Sequence, residues 1–107
     1  MIYSGDMTVF AALGDTTRVG ILELLRQQER SVGELVEAFQ LTQPAISQHL
    51  RVLKTAGLVS SRAEAQRRVY RIEPGPLREL DRWLSRYRKF WADELDALAA
   101  HLNEHPE

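Results

Sequence analysis

Apolar residues recur along this chain mostly at helical spacing, interrupted once by a short alternating stretch. Val9, Phe10 and Leu13 share one side of a short helix over Met7–Leu13, which Gly14 stops. Asp15 or Thr16 caps a second helix. In it Val19, Leu22 and either Leu25 or Arg26 fall at helical spacing, and Ile21 and Leu24 widen the stripe. Glu29 and Arg30 mark its frayed end. Ser31-Val32-Gly33-Glu34 reads as a capping box opening a helix of about two turns through Leu35, Val36 and Phe39. After Gln40-Leu41, Thr42 caps a fourth helix with Pro44 in its first turn, where no backbone donor is missed. Gly57 ends that helix where a left-handed residue is wanted. Residues 58–62 and 67–72 alternate as the two arms of a hairpin, with residues 63–66 between them. Pro74, Gly75 and Pro76 form a punctuated link.

A last helix is expected over residues 77–103, at ~1.5 Å per residue about 40 Å long. Its apolar series is Leu77, Leu80, Leu84, Tyr87, Trp91, Leu95, Leu98 and Leu102, in steps of three and four. A domain this small cannot cover so long a stripe, so a second subunit is expected to meet it. Val9, Phe10 and Leu13 are natural partners, and Trp83, Phe90 and Trp91 add large apolar area. The expected interface comprises Val9, Phe10, Leu13, Leu80, Leu84, Tyr87, Trp91, Leu95 and Leu98. The competing arrangement buries the stripe entirely within one chain.

The third and fourth helices, joined by a tight turn, make a helix-turn-helix candidate. In the fourth, Ile46, Leu50 and Leu53 lie within about 60° of one another and form the core stripe. The other face carries Pro44, Ser47, Gln48, Arg51 and Thr55, which are small, hydrogen-bonding or cationic. Such a face can enter a major groove, where Gln48 suits adenine and Arg51 suits guanine or a phosphate. From Gln43 to Thr55 there is no acidic residue, whereas an ordinary surface helix mixes signs. His49 lies at the flank, suited to partial packing or a phosphate contact. Arg67 and Arg68 stand on the returning arm of the hairpin, where a wing can place arginine in a minor groove. The expected fold is mainly α with a small β-hairpin: a winged helix-turn-helix of five helices with a two-stranded wing.

Charge supports that placement only when it is divided along the chain. The 107 residues hold 14 Lys+Arg and 15 Asp+Glu, a formal net charge of -1 that by itself disfavours a polyanionic partner. Residues 1–39 sum to about -3, residues 40–72 to about +5, residues 73–89 to about +2 and residues 90–107 to about -5. Clustered charge steers a polyanion whatever the total. The length suits one domain, residues 1–107. The absence of cysteine excludes a disulfide scaffold, a thiolate metal site and a cysteine nucleophile, and favours the cytoplasm. No apolar run reaches the roughly 20 residues of a membrane span, and Met1–Asp6 lacks the marks of a signal peptide. No Ser/His/acid constellation or phosphate-cradling glycine loop indicates an enzyme.

Leu41-Thr42-Gln43-Pro44-Ala45-Ile46-Ser47-Gln48-His49-Leu50-Arg51-Val52-Leu53-Lys54-Thr55-Ala56-Gly57-Leu58-Val59 resembles the recognition helix and wing start of ArsR/SmtB-type winged-helix repressors. Ala11-Ala12-Leu13-Gly14-Asp15-Thr16-Thr17-Arg18 is similar to that family's opening, and Arg67-Arg68-Val69-Tyr70-Arg71-Ile72 to its second wing strand. The resemblance covers roughly residues 7–103. It implies a homodimeric repressor that binds an imperfect palindrome and is released by a signal, an inducer that no motif names. The positions matching the family's DNA contacts are Thr42, Gln43, Ser47, Gln48, His49, Arg51, Arg67 and Arg68. The metal-sensing motifs of the family are not matched. Residues 34–39 hold no thiol, and Asp81 is followed by Trp83 where histidine would stand. His101 and Glu104 match only the late half of a site, with His105 on the same face, so neither metal nor other cofactor is expected. Gln40 and Ala65 stand where the family often has glycine. A winged-helix protein-interaction module without specific DNA binding is the alternative reading.

Overall fold

The computed structural model describes residues 7–104. Five helices and three short strands follow in the order α1 (Met7–Leu13), α2 (Thr16–Gln27), β1 (Arg30–Ser31), α3 (Val32–Phe39), α4 (Gln43–Thr55), β2 (Val59–Glu64), β3 (Arg67–Ile72) and α5 (Gly75–Glu104). The sheet is antiparallel with order β1-β3-β2.

Most helix ends fall where local chemistry puts them. The Asp15 carboxylate caps α2 by accepting from the backbone N–H groups of Thr17 and Arg18 at 2.8 and 3.1 Å. Those bonds hold its carboxyl below the ordinary aspartate pKa, Arg18's being the larger contribution. Ser31 and Glu34 complete the capping box of α3 in both directions, at 3.2 and 2.8 Å. Thr42 Oγ1 accepts from the Ala45 N–H at 3.2 Å and caps α4. Gly57, at φ 76°, turns the chain out of α4.

Several expectations are corrected. Arg30 is not part of a frayed helix end: together with Ser31, which also caps α3 as expected, it forms a short strand that pairs with Tyr70 and Val69, making the wing part of a three-stranded sheet. A two-residue strand is too short to show a period of two. The buried stripe of α2 is Ile21, Leu22 and Leu25, while Val19 is 40% exposed, so the helix is rotated relative to the expected face. The wing turn narrows to Ala65-Gln66, because Glu64 still pairs with Arg67. The last helix begins at Gly75 rather than Leu77, since Pro76 is tolerated in a first turn and the Arg78 N–H reaches the Pro74 carbonyl at 2.9 Å.

One core unites the short elements. Ile21, Leu22 and Leu25 of α2, Leu35 of α3, Ile46, Leu50 and Leu53 of α4, and Leu58 and Val59 are buried together. Val9 and Ala12 of α1 close it from one side. Gly20 lets α3 approach: a Cβ there would lie 2.9 Å from the Phe39 ring. This fixes α4 with its Ile46/Leu50/Leu53 side inward and Gln48 and Arg51 outward.

α5 departs from this compactness. Its first turns, through Leu77, Leu80, Trp83 and Leu84, are half-buried, and everything beyond is exposed. The radius of gyration is 18.8 Å, against about 13 Å for a compact domain of this size. Phe10 of α1 meets Trp83 edge-on at 5.6 Å between centroids, and Trp83, Tyr87 and Trp91 continue as a ladder at 4.9 and 6.3 Å.

Among the described residues, two non-glycine residues sit in the left-handed region, Gln40 at φ 54° and Ala65 at φ 57°. A Cβ costs ~1–2 kcal/mol there, partly offset by the greater unfolded freedom of glycine. Gln40→Gly and Ala65→Gly are each expected to stabilise the fold by about 0.5–1 kcal/mol. A higher urea midpoint at unchanged slope would show it, and an unchanged or lower midpoint would count against strain at these positions.

Candidate nucleic-acid interface

The outward strip of α4 carries Pro44, Gln48, Arg51 and Thr55, all exposed. The Arg51 Nη1 donates to Gln48 Oε1 at 3.3 Å, so these two neighbours on successive turns are aligned. Thr42 and Gln43 are exposed at the helix start. Ser47 and His49 are half-buried on opposite flanks. Ser47 faces the wing across a hollow of about 540 Å³, whose apolar side is Val32, Val36 and Tyr70 and whose polar side is Gln43, Ser47, Gln66, Arg67 and Arg68. The structure therefore brings Gln43, Ser47, Arg67 and Arg68 around one concavity, while Gln48 and Arg51 lie on the outward strip.

The basic residues between 40 and 72 divide into two groups. Arg62 pairs with Glu29 at 2.7 Å and Glu64 at 2.8 Å, Arg71 with Glu73 at 3.2 Å, and Arg67 with Glu64 at 3.3 Å and Glu34 at 4.0 Å. The Arg62 and Arg67 guanidiniums, Arg62's first, hold the Glu64 carboxyl below its ordinary pKa. Ser60 and then Arg71 do the same for Glu73, and the Ser31 N–H leads for Glu34.

Among the described residues, Arg51, Lys54 and Arg68 have no salt bridge and only neutral partners. The Lys54 ammonium and the Arg68 guanidinium both donate to Ser61 Oγ, at 3.1 and 3.3 Å. Two cations are thus held side by side on one hydroxyl, with no carboxylate between them. An anion placed across them would remove their repulsion and gain both charges, which is what a phosphate does. The net excess of residues 40–72 is thereby concentrated on the α4 edge and wing face, not spread evenly.

Lys54 and Ser61 were not singled out by sequence reasoning. Lys54 follows Arg51 by one turn and could have been found by extending the basic strip, but its meeting with Ser61 depends on the return of β2 beside α4. Gln66 and Tyr70 are likewise placed by hairpin register. At the dimer-expected surface, Val9 is a correction: it is 3% exposed and belongs to this chain's own core. Phe10, Leu13, Leu80 and Leu84 are half-buried, and Tyr87, Trp91, Leu95 and Leu98 are exposed. Of the late metal-type residues, His101 is exposed near the end of α5, and His105 lies outside the described residues. No helix among the described residues is long and apolar enough to cross a membrane.

Comparison with known proteins identifies the fold and the family. The family described as "Bacterial regulatory protein, arsR family" matches residues 15–61, which span α2, α3, α4 and the start of the wing. The HTH-type transcriptional regulator Rv2034 of Mycobacterium tuberculosis is 41% identical over 97 residues, covering 91% of this chain and 88% of that protein. The transcriptional repressor SdpR of Bacillus subtilis is 34% identical over 76 residues, covering 71% of this chain and 84% of the repressor. Among solved structures, an ArsR-like transcriptional regulator from Rhodococcus sp. RHA1 superposes with a TM-score of 0.72 at 33% identity, over 94% of this chain and 91% of that one. The fold is a winged helix-turn-helix, and the chain belongs to the ArsR family of bacterial regulatory proteins as a DNA-binding transcriptional regulator, not an enzyme.

Proposed function

We propose that the chain is a dimeric repressor of a pseudo-palindromic operator, acting in the cytoplasm as one winged-helix domain per subunit. In each half-site α4 enters the major groove with Gln48 and Arg51 toward base edges, and Thr42, Gln43, Ser47 and His49 toward its walls. The wing lies over the adjacent minor groove with Arg67 and Arg68. Phe10, Leu13 and the apolar side of α5 from Leu80 to Leu98 meet their counterparts in the second copy, setting two recognition helices about 34 Å apart. No metal cofactor is assigned, and no inducer is assigned to these residues.

The observation that carries this reading is the uncompensated trio Arg51, Lys54 and Arg68. It sits beside a helix face without acids, in a chain whose relatives are transcriptional regulators. The ion pairs of Arg67 divide the wing arginines: Arg68 is free to meet phosphate, whereas Arg67 must first leave Glu64.

Arg51→Ala and Arg68→Ala should each weaken operator binding by about 1–3 kcal/mol, Arg51→Ala also relaxing the base preference and Arg68→Ala lowering the salt slope by about one ion per subunit. Arg71→Ala, whose guanidinium is already paired, should change affinity and salt slope less. Gel shifts across a salt series on an operator selected from a random duplex pool check this. Parent-like binding by both variants at every salt concentration would reject the mechanism. A parent chain that retards no duplex would favour the protein-interaction module instead.

A further inference from the structure

Arg18 joins three elements. Its Nε donates to the Ala12 carbonyl at 2.7 Å and its Nη2 to the Ala11 carbonyl at 3.0 Å, so it closes the last turn of α1 from the first turn of α2. Its third arm, Nη1, lies 3.3 Å from Nδ1 of His49 on α4. The guanidinium side chain is only 17% exposed, and the Asp15 carboxylate stands 4.0 Å from the same Nη1.

A guanidinium has donors and no acceptor and stays charged at every ordinary pH. Nδ1 of His49 must therefore accept. An N–H on Nδ1, in the other neutral tautomer or in the imidazolium, would set donor against donor. The proton of the neutral ring is consequently on Nε2, the nitrogen turned away from Arg18.

We infer that Arg18 is a positioning residue for DNA recognition: it fixes His49 as the Nε2–H tautomer and offers that donor to a DNA backbone phosphate alongside α4. His49 is on the α1 flank of the helix, beside the exposed strip rather than on it, which suits a phosphate better than a base edge. On the opposite flank Lys54 is tied to Ser61 of β2, so polar bonds brace α4 on both sides. The phosphate role rests on the proposed placement of α4 in the groove, but the tautomer does not.

The two parts are separable by experiment. Long-range proton–nitrogen spectra of the imidazole-labelled full chain, without DNA at mildly alkaline pH, should show His49 as a single Nε2–H tautomer. Arg18→Gln should return it to an averaged pattern, and His49→Gln assigns the signals. On the selected operator, Arg18→Gln and His49→Phe should each bind about tenfold more weakly, and the double variant no worse than either. His49→Gln keeps an acceptor and an N–H donor and should bind within about threefold of the parent. An averaged or Nδ1–H ring in the parent overturns the inference even if DNA binds as proposed. A fixed Nε2–H ring with parent-like binding by His49→Phe overturns the phosphate role while leaving the groove placement intact. Additive losses in the double variant would also overturn the positioning claim.

Discussion

Aspartates in place of Leu95 and Leu98 are expected to turn a dimer into a monomer and to cut operator affinity by ~10²–10⁴-fold. Leu95 is 65% exposed in the single chain, and Tyr87, Phe90, Trp91, Leu98 and Leu102 are also substantially exposed. Covering each of these six contributes on the order of 1 kcal/mol from its apolar area. Contributions from two copies are of the size needed to offset the ~4–15 kcal/mol lost in translational and rotational freedom. Two carboxylates at the centre of the stripe would have to be desolvated without a partner, which removes that margin. Since both sites lie beyond the half-buried turns of α5, the fold of each subunit should survive. Sedimentation at micromolar protein should show a dimeric parent and a monomeric variant, and binding to a single half-site should change little. A parent that sediments as a monomer, or a variant that remains dimeric, would refute the assembly.

Leu50→Ala should have the largest effect on the subunit itself, a loss of about 2–5 kcal/mol. Leu50 is 1% exposed and lies between Ile46 and Leu53 on the inward side of α4, in the core that joins α2, α3 and Leu58. With total stability of ~5–15 kcal/mol typical of a domain, this is a large fraction. Leu98→Ala removes the same atoms from an exposed position and should cost the isolated subunit far less. Urea unfolding at fixed, equal protein concentration separates the two, because the proposed dimerisation would link stability to concentration. Similar losses for Leu50→Ala and Leu98→Ala at concentrations where the parent is monomeric would contradict the core described.

Much of this fold was legible because its signals are local. The capping box of Ser31 and Glu34, the Thr42 cap with Pro44, the Ile46/Leu50/Leu53 stripe and the left-handed Gly57 each lie within a turn or two of sequence. The left-handed conformations at Gln40 and Ala65 were suspected only through family resemblance, since neither residue type signals them. β1 escaped because its two residues pair with a strand almost 40 positions later. The rotation of α2 escaped because Val19 and Ile21 are equally apolar, and only packing chooses between them. At the site, the outer face of α4 was readable, but charge counting could not tell which arginines glutamates already hold. Nor could it foresee that Arg18 reaches a histidine 31 residues away.

Ser31 ties the wing to the helical core in a way that shapes its motion. It is 6% exposed, pairs with Val69 near the middle of β3 and also caps α3. Local opening there would cost a ladder pairing and a helix start together, so the base of the wing should exchange its amides with the slow, cooperative unit that includes α3. Beyond Val69 the hairpin's backbone pairs only with β2, and its side-chain tie to α3 is the long, exposed Arg67–Glu34 contact at 4.0 Å, so it can fray more readily than the part Ser31 holds. The wing is thus a lever welded near the middle of β3 with a looser tip, and in the proposed complex that tip would follow variation in groove width without disturbing the helix beside it.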